Sequence, residues 1–310
     1  MNISITNYCN RNCSFCFQEG WYRTNKNNAS YMNLDMIEKI LNWYTGNHLS
    51  LMGGEPLVHP QILEIVDLCQ NYKKGLTILT NLSNKKIAKN LLDKGVKKWL
   101  VNASSMNWNK NIEDAFSLFK NKDLSVAFTL EPKEKNVDIV NKIIKISNIT
   151  ENENLSVRIS PMTPSIHEYN ENYNYTNDII FIMSSVLEKV NANFSFDCKI
   201  NLCEIDQELI ENLKKFPVNF THRDNECEIS PPFDILVDGS AVYCSSANFL
   251  KIDNIFDYEN SEAAVKEFRR QAKEYWLNNS VNNKCKNCNS YTFACKGMCI
   301  AKNNAILRKK

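Results

Sequence analysis

Cys9, Cys13 and Cys16 share one short stretch, Cys9-Asn10-Arg11-Asn12-Cys13-Ser14-Phe15-Cys16. Three thiolates at spacings of four and three residues can grip one face of a metal centre. They are too few to close a tetrahedral zinc site or a four-iron cluster, so one coordination position is left open. An open metal position is where a ligand binds and reacts. Phe15, just before the third cysteine, can shield such a centre and pack against a planar base. Further on stands Gly53-Gly54-Glu55-Pro56. Two glycines there let a ligand come close to the backbone, and Pro56 stiffens the turn. By itself the quartet would also serve as a plain turn at a strand end.

The other cysteines repeat the theme. Of 12 in 310 residues, nine fall in clusters, at 9, 13, 16, 227, 244, 285, 288, 295 and 299. That content is below the share, above about 8–10%, that marks a disulfide scaffold. In a reducing compartment such clusters mean metal. The four histidines all lie outside them, and thiolate-only ligation favours zinc or iron–sulfur. Cys69 falls on the apolar face of an expected helix and reads as core. Cys198 and Cys203 flank a turn and read as inert small side chains, unless one stands near a pocket and reacts there.

Elements must bring these residues together. To about residue 190 a short apolar run is followed, six times, by an amphipathic helix. The strands are expected at 3–6, 49–52, 76–79, 99–102, 124–130 and 155–159. The helices are expected at 34–43, 60–72, 85–94, 111–119, 137–146 and 178–190. Right-handed crossovers then give a parallel sheet. Six units fit an α/β fold of the partial (β/α)6 barrel type. An open doubly wound sheet is the alternative, but no glycine-rich dinucleotide turn follows strand one. Sites in βα folds form at the carboxyl ends of strands. The cysteine loop ends strand one, Gly53–Pro56 strand two, Thr80-Asn81 strand three, and Ser104-Ser105 follow strand four. Beyond 190 the pattern breaks. A strand near 193–197, a helix at 205–213, a hairpin around an Asp238-Gly239 turn and a helix at 263–276 are expected. The expected domains are 1–220 and 221–310. The polar loop 166–176, with Tyr169, Tyr173 and Tyr175, is either a cover over an extended substrate or a surface loop.

Composition excludes several classes. Hydrophobic residues make up 43%, enough for a sizeable core. Net charge is +2 and the one basic block is Arg308-Lys309-Lys310, which gives no nucleic-acid footprint. No apolar run approaches the ~18 residues that span a bilayer. The N-terminus lacks the pattern of a signal peptide, so a cytoplasmic protein is expected.

Cys9-x3-Cys13-x2-Cys16 with Phe15, followed by Gly53-Gly54-Glu55-Pro56 within six βα units, resembles a radical S-adenosylmethionine (radical SAM) enzyme. The resemblance covers roughly 1–190. It implies a 4Fe–4S cluster on Cys9, Cys13 and Cys16, with S-adenosylmethionine chelating the fourth iron. One electron cleaves the sulfonium, and the 5′-deoxyadenosyl radical takes a hydrogen atom from substrate. The turn of Gly53, Gly54, Glu55 and Pro56 is expected to hold the methionine amino group. Ser104 and Arg158 are the candidates for ribose and carboxylate contacts, with ordinary strand-end polar residues as the alternative.

The second half resembles the SPASM extension of peptide- and protein-modifying radical SAM enzymes, which binds auxiliary 4Fe–4S clusters. By that pattern Cys227, Cys244 and Cys299 serve an inner cluster, and Cys285, Cys288 and Cys295 an outer one. There are departures: six residues separate Cys288 from Cys295, and no cysteine follows Cys299. Either a cluster keeps an open or non-cysteine position, or one auxiliary cluster forms instead of two. The alternative is a zinc ribbon of Cys285, Cys288, Cys295 and Cys299.

The resemblance implies radical modification of a ribosomally made precursor peptide, ending in a thioether or C–C crosslink, an epimerised residue or an oxidised one. A reducing donor such as flavodoxin or ferredoxin is implied. Cys9 lies so near the N-terminus that leader recognition is expected from this domain pair or a separate leader-peptide-binding protein. The alternatives are a sulfatase-maturase-like enzyme acting on a partner, a dehydrogenase of a small polyol or aminoglycoside, or a non-enzymatic zinc-binding interaction protein. No nucleic acid or membrane partner is expected.

Overall fold

Short β-branched and leucine runs separated by amphipathic turns dictate parallel strands joined by helices. The computed structural model describes residues 1–18, 20–104, 108–131, 135–152, 155–161, 175–196, 211, 233–279, 283–287 and 299–308. Its contacts divide the chain into two units, Met1–Trp99 with Asn225–Val281, and Leu100–Asp224 with Asn282–Lys310.

The first unit holds β1 (Asn2–Thr6), α1 (Leu34–Trp43), β2 (His48–Gly53), α2 (Ile62–Asn71), β3 (Gly75–Thr80) and α3 (Lys85–Asp93). The three strands run parallel, with Ile3 opposite Leu51 and Leu51 opposite Ile78. These side chains are fully buried, as expected for parallel strands covered on both faces. Asn33 caps α1 by accepting the Met36 N–H at 2.8 Å, and Asn84 caps α3 through the Ile87 N–H at 3.2 Å. Ile37, Ile40 and Leu41 of α1 and Ile65, Val66 and Cys69 of α2 turn inward. Cys69 is core, as its position on the helix implies.

The same unit takes in three two-residue strands, β8 (Asp234–Ile235), β9 (Ala241–Val242) and β10 (Lys251–Ile252). β8 pairs parallel with β1 on the side away from β2, and β9 and β10 follow antiparallel. The expected Asp-Gly hairpin is present, with Gly239 at φ +84° and Leu236 N–H donating to Ser240 O at 2.8 Å. Asp234 is fully buried and accepts from Asn2 Nδ2 at 2.7 Å and Ser245 Oγ at 2.6 Å. A helix α7 (Ser261–Asn278), capped by Asn260, lays Phe268 against Phe233 and Tyr243. Trp43 of α1 meets Phe233 and Phe256 edge-on and donates its indole N–H to Tyr258 O at 2.8 Å.

The second unit holds β4 (Lys98–Asn102, its ladder beginning at Leu100), α4 (Lys110–Phe116), β5 (Ser125–Leu130), α5 (Asn136–Thr150), β6 (Leu155–Pro161), α6 (Tyr175–Leu187) and β7 (Ala192–Phe196). All pair parallel in chain order. Val101, Val126, Val157 and Phe194 stand in register and are buried. The next row carries Ala127, Arg158 and Ser195. Tyr175 opens α6 and is buried, so it packs inside instead of belonging to a surface loop; the rest of that loop lies outside the described residues. Two further helices, α8 (Asn283–Lys286) and α9 (Ile300–Arg308), belong to this unit. The expected helix at 205–213 lies outside the described residues except Glu211. Among the described residues no helix is long and apolar enough to cross a membrane.

Candidate metal centre

β1, β2 and β3 end side by side, and three stretches the sequence marks meet there: the cysteine loop, Gly53–Pro56 and Thr80–Asn81. The cysteine loop leaves β1 at Thr6 and is laced at once to the end of β2. Gly54 N–H donates to Thr6 O at 2.7 Å and Glu55 N–H to Tyr8 O at 2.9 Å. The approach is so close that neither glycine has room for a side chain. A Cβ on Gly53 would lie 2.2 Å from Thr6 O, and one on Gly54 would lie 2.0 Å from Tyr8 O and 2.6 Å from Cys9 N. Gly53 also sits at φ +138°, a backbone that L side chains avoid. The glycines were expected to admit a ligand. What comes close to them is the backbone that presents Cys9.

The other side of the loop is held by the returning chain. Asn7 accepts the Ser30 N–H at 2.7 Å through its side chain and the Thr24 N–H at 2.9 Å through its carbonyl. Thr6 Oγ1 donates to Ser30 O at 2.9 Å. Cys16 N–H closes a turn onto Cys13 O at 3.2 Å. Arg23 reaches back to Arg11 O at 2.7 Å and to Asn12 Oδ1. His59 is buried, accepts the Gln61 N–H at Nδ1 and donates from Nε2 to Met32 O at 3.0 Å. That pattern is a neutral imidazole, and burial lowers its pKa. Phe15 is buried within the loop.

Glu55 is 1% exposed, and its carboxylate is engaged by its own chain. Oε1 accepts from Thr80 Oγ1 at 2.6 Å and Leu57 N–H at 3.0 Å, and Oε2 from Asn81 N–H at 2.6 Å. Burial pushes its pKa up, against these hydrogen bonds and the Arg11 charge. Pro56 opens the short 3₁₀ turn Pro56–Val58 that Glu55 caps. Asn81 donates to Cys9 Sγ at 3.7 Å and to Asn10 Oδ1 at 3.1 Å. Thr80 and Asn81 were legible only as a strand end, and nothing in the sequence marks Arg23.

The thiols fit an iron–sulfur centre by their chemistry. Burial first, then the Glu55 charge, push the Cys9 thiol up to about 12, and Cys13 and Cys16 add to the rise. Burial raises Cys16 as well, opposed by the Gln18 backbone N–H and by Arg23. Thiolates here therefore need a cation, which a bound metal supplies. Among the described residues no three His, Cys, Asp or Glu groups close on a single ion. A four-iron cluster asks for no such convergence, because each cysteine takes a different iron.

Of the remaining candidates, Ser104 and Arg158 belong to the second unit. Ser104 is buried and accepts the Thr129 N–H at 2.9 Å. Arg158 is half-buried in β6, between Ala127 and Ser195 in register. Cys244, in the first unit, lies two residues after β9 and stands at the N-cap of the 3₁₀ turn Ser245–Ala247. Cys285 lies in α8 and Cys299 just before α9, both in the second unit. All three are half-buried. Cys227, Cys288 and Cys295, like Cys198 and Cys203, lie outside the described residues.

Comparisons with known proteins agree with this geometry. Residues 3–150 match the Radical SAM superfamily. A probable GTP 3',8-cyclase of Thermococcus kodakarensis is 34% identical over 107 residues, 34% of this chain and 35% of that protein. The GTP 3',8-cyclase of Alkaliphilus metalliredigens is 25% identical over 181 residues, 53% of this chain and 56% of that protein. The chain thus spans about a third to a half of the length of these relatives. Streptococcus suis SuiB, crystallised with its precursor peptide SuiA, covers 100% of this chain at TM-score 0.68 and 16% identity, over 72% of its own length. SuiB with S-adenosylmethionine gives 0.65 at 17% identity. That likeness shows the fold, an α/β parallel sheet of the partial-barrel type. With three cysteines on the loop after β1 and the superfamily match over the same segment, residues 3–150 resemble a radical SAM enzyme domain.

Proposed function

We propose that the chain binds a 4Fe–4S cluster through Cys9, Cys13 and Cys16 and uses it, with S-adenosylmethionine, to start the radical modification of a peptide. The observation that carries this is the lacing of the cysteine loop to Gly54 and Glu55, which fixes three thiols at the carboxyl ends of the first strands. When bound, the cluster supplies one electron to S-adenosylmethionine, which yields a radical able to take hydrogen from substrate. The chain's own part is to hold and seal the site. Asn7 and Arg23 fix the loop, Phe15 shuts out water, and Gly53–Pro56 offers backbone groups to the methionine end. Ser104 and Arg158 would contact the rest of the cofactor.

A peptide substrate is supported by the full-chain likeness in fold to SuiB, which was captured with a precursor peptide. Action on a nucleotide is the second reading, favoured by the 34% identity to a probable GTP 3',8-cyclase; that likeness reaches about a third of the chain. The proposal includes a cytoplasmic setting, a flavodoxin- or ferredoxin-like donor, and the division 1–220 and 221–310. In the second part Cys227, Cys244, Cys285, Cys288, Cys295 and Cys299 would hold one or two auxiliary clusters.

Iron, sulfide and zinc per chain test it, after anaerobic purification of wild type and a Cys9/Cys13/Cys16→Ala variant. Wild type should carry about eight or twelve iron, with about four lost in the variant. Zinc in place of iron, unchanged by the substitutions, would overturn the proposal. The same wild-type preparation, reduced and given S-adenosylmethionine, should form 5′-deoxyadenosine faster with a precursor peptide than with GTP. The reverse would favour the nucleotide.

A further inference from the structure

We propose that Asn81 is a positioning residue for the cluster-bearing loop, tuning the Cys9 sulfur by a side-chain hydrogen bond, and that Glu55 acts through it. This rests on reading Cys9, Cys13 and Cys16 as cluster ligands.

The amide of Asn81 has one orientation. Its Oδ1 accepts the Ser83 N–H at 3.0 Å. Its Nδ2 then faces Asn10 Oδ1 at 3.1 Å and Cys9 Sγ at 3.7 Å. Asn10 is oriented in turn, because its Oδ1 accepts from Asn81 while its Nδ2 lies 2.9 Å from Ser83 Oγ. Flipping Asn81 would set oxygen against Asn10 Oδ1 and its amide N–H against the Ser83 N–H, and flipping Asn10 would set nitrogen against nitrogen. The backbone of Asn81 is just as constrained. Glu55 Oε2 holds its N–H at 2.6 Å, Glu55 Oε1 holds Thr80 next to it, and Thr80 Oγ1 accepts the Leu82 N–H at 2.9 Å. Asn81 is 7% exposed, so little water competes for the donor.

Three donors of its own chain occupy the Glu55 carboxylate. Besides its charge near Cys9, Glu55 acts on that sulfur by holding Asn81 in place.

An N–H aimed at a ligating sulfur draws electron density from it. That favours the reduced, more negative state of the cluster and raises its potential, the more so in a dry site. One electron passes from an added reductant such as dithionite to iron; Asn81 neither gains nor loses a proton.

The test is a redox titration of the full chain, purified anaerobically and followed by electron paramagnetic resonance of the reduced cluster. Asn81→Leu keeps the size and removes the donor. With iron near the wild-type level, its midpoint should fall below the wild-type value. A midpoint that does not move overturns the inference. Should the leucine variant lose iron, Asn81→Asp carries the same test. It keeps the acceptor for Ser83, loses the donor and adds charge, so its midpoint should fall further, and an unmoved midpoint again overturns the inference. A wild type without iron sinks the cluster reading itself, which is a different result from an unshifted midpoint.

Discussion

Gly54 shows what a single hydrogen atom in place of a side chain does here. Its would-be Cβ meets the carbonyl of Tyr8 and the nitrogen of Cys9, both backbone, so no rotamer relieves the clash. Gly54→Val should therefore displace the cysteine loop and lose about four iron per chain, while circular dichroism still reports the fold. Retained iron would mean that the loop can shift and still ligate. The sequence marked this position as one needing bare backbone. It could not say which group comes close, because that depends on a register between residues far apart in the chain. His59 gives a second test at this scale. Burial holds its imidazole below the ordinary 6.5, so the fold resists a proton that the unfolded chain accepts. Its contribution to stability is complete above pH 6.5 and is lost as the pH falls below it. Thermal unfolding should show this loss in wild type and less of it in His59→Gln. His48 shifts the same way, so the difference between the two proteins is the measure.

Among the elements, the βα units were legible because their signal is local: an apolar run, a capping asparagine, an amphipathic turn. In the segment after Phe233 the hairpin and the helix were legible too, but not where they attach. A two-residue strand has no period to detect, and the pairing of β8 with β1 is a contact across 232 residues. What holds the segment is aromatic packing of Phe268 with Phe233 and Tyr243, beside Trp43. Phe268 is fully buried, and Phe268→Ala should destabilise the chain by about 3–5 kcal/mol. Urea unfolding measures this. A loss under about 1 kcal/mol would show that α7 adds little to the unit.

At the scale of the molecule, residues 233–279 group with the first strands, not with the C-terminal residues. Cysteine spacing gave no hint of this, since spacing reports which thiols are near in sequence, not which layer carries them. Cys244 accordingly falls in the unit of Cys9, Cys13 and Cys16, and Cys285 and Cys299 in the other. The α/β class and the thiols of the first loop were readable because six repeats and one compact motif each speak for themselves. The brace of Glu55, Thr80 and Asn81 was not, because its members are common residues whose meaning is their mutual distance.

The bond between Asn2 and Asp234 also sets a clock. Ribosomes add about 5–20 residues per second, so β1 waits roughly 10–50 s after its own synthesis before its second neighbour exists. Through that interval one border of β1 is bare to any passing strand. The nascent chain therefore has to be shielded at that border until β8 arrives.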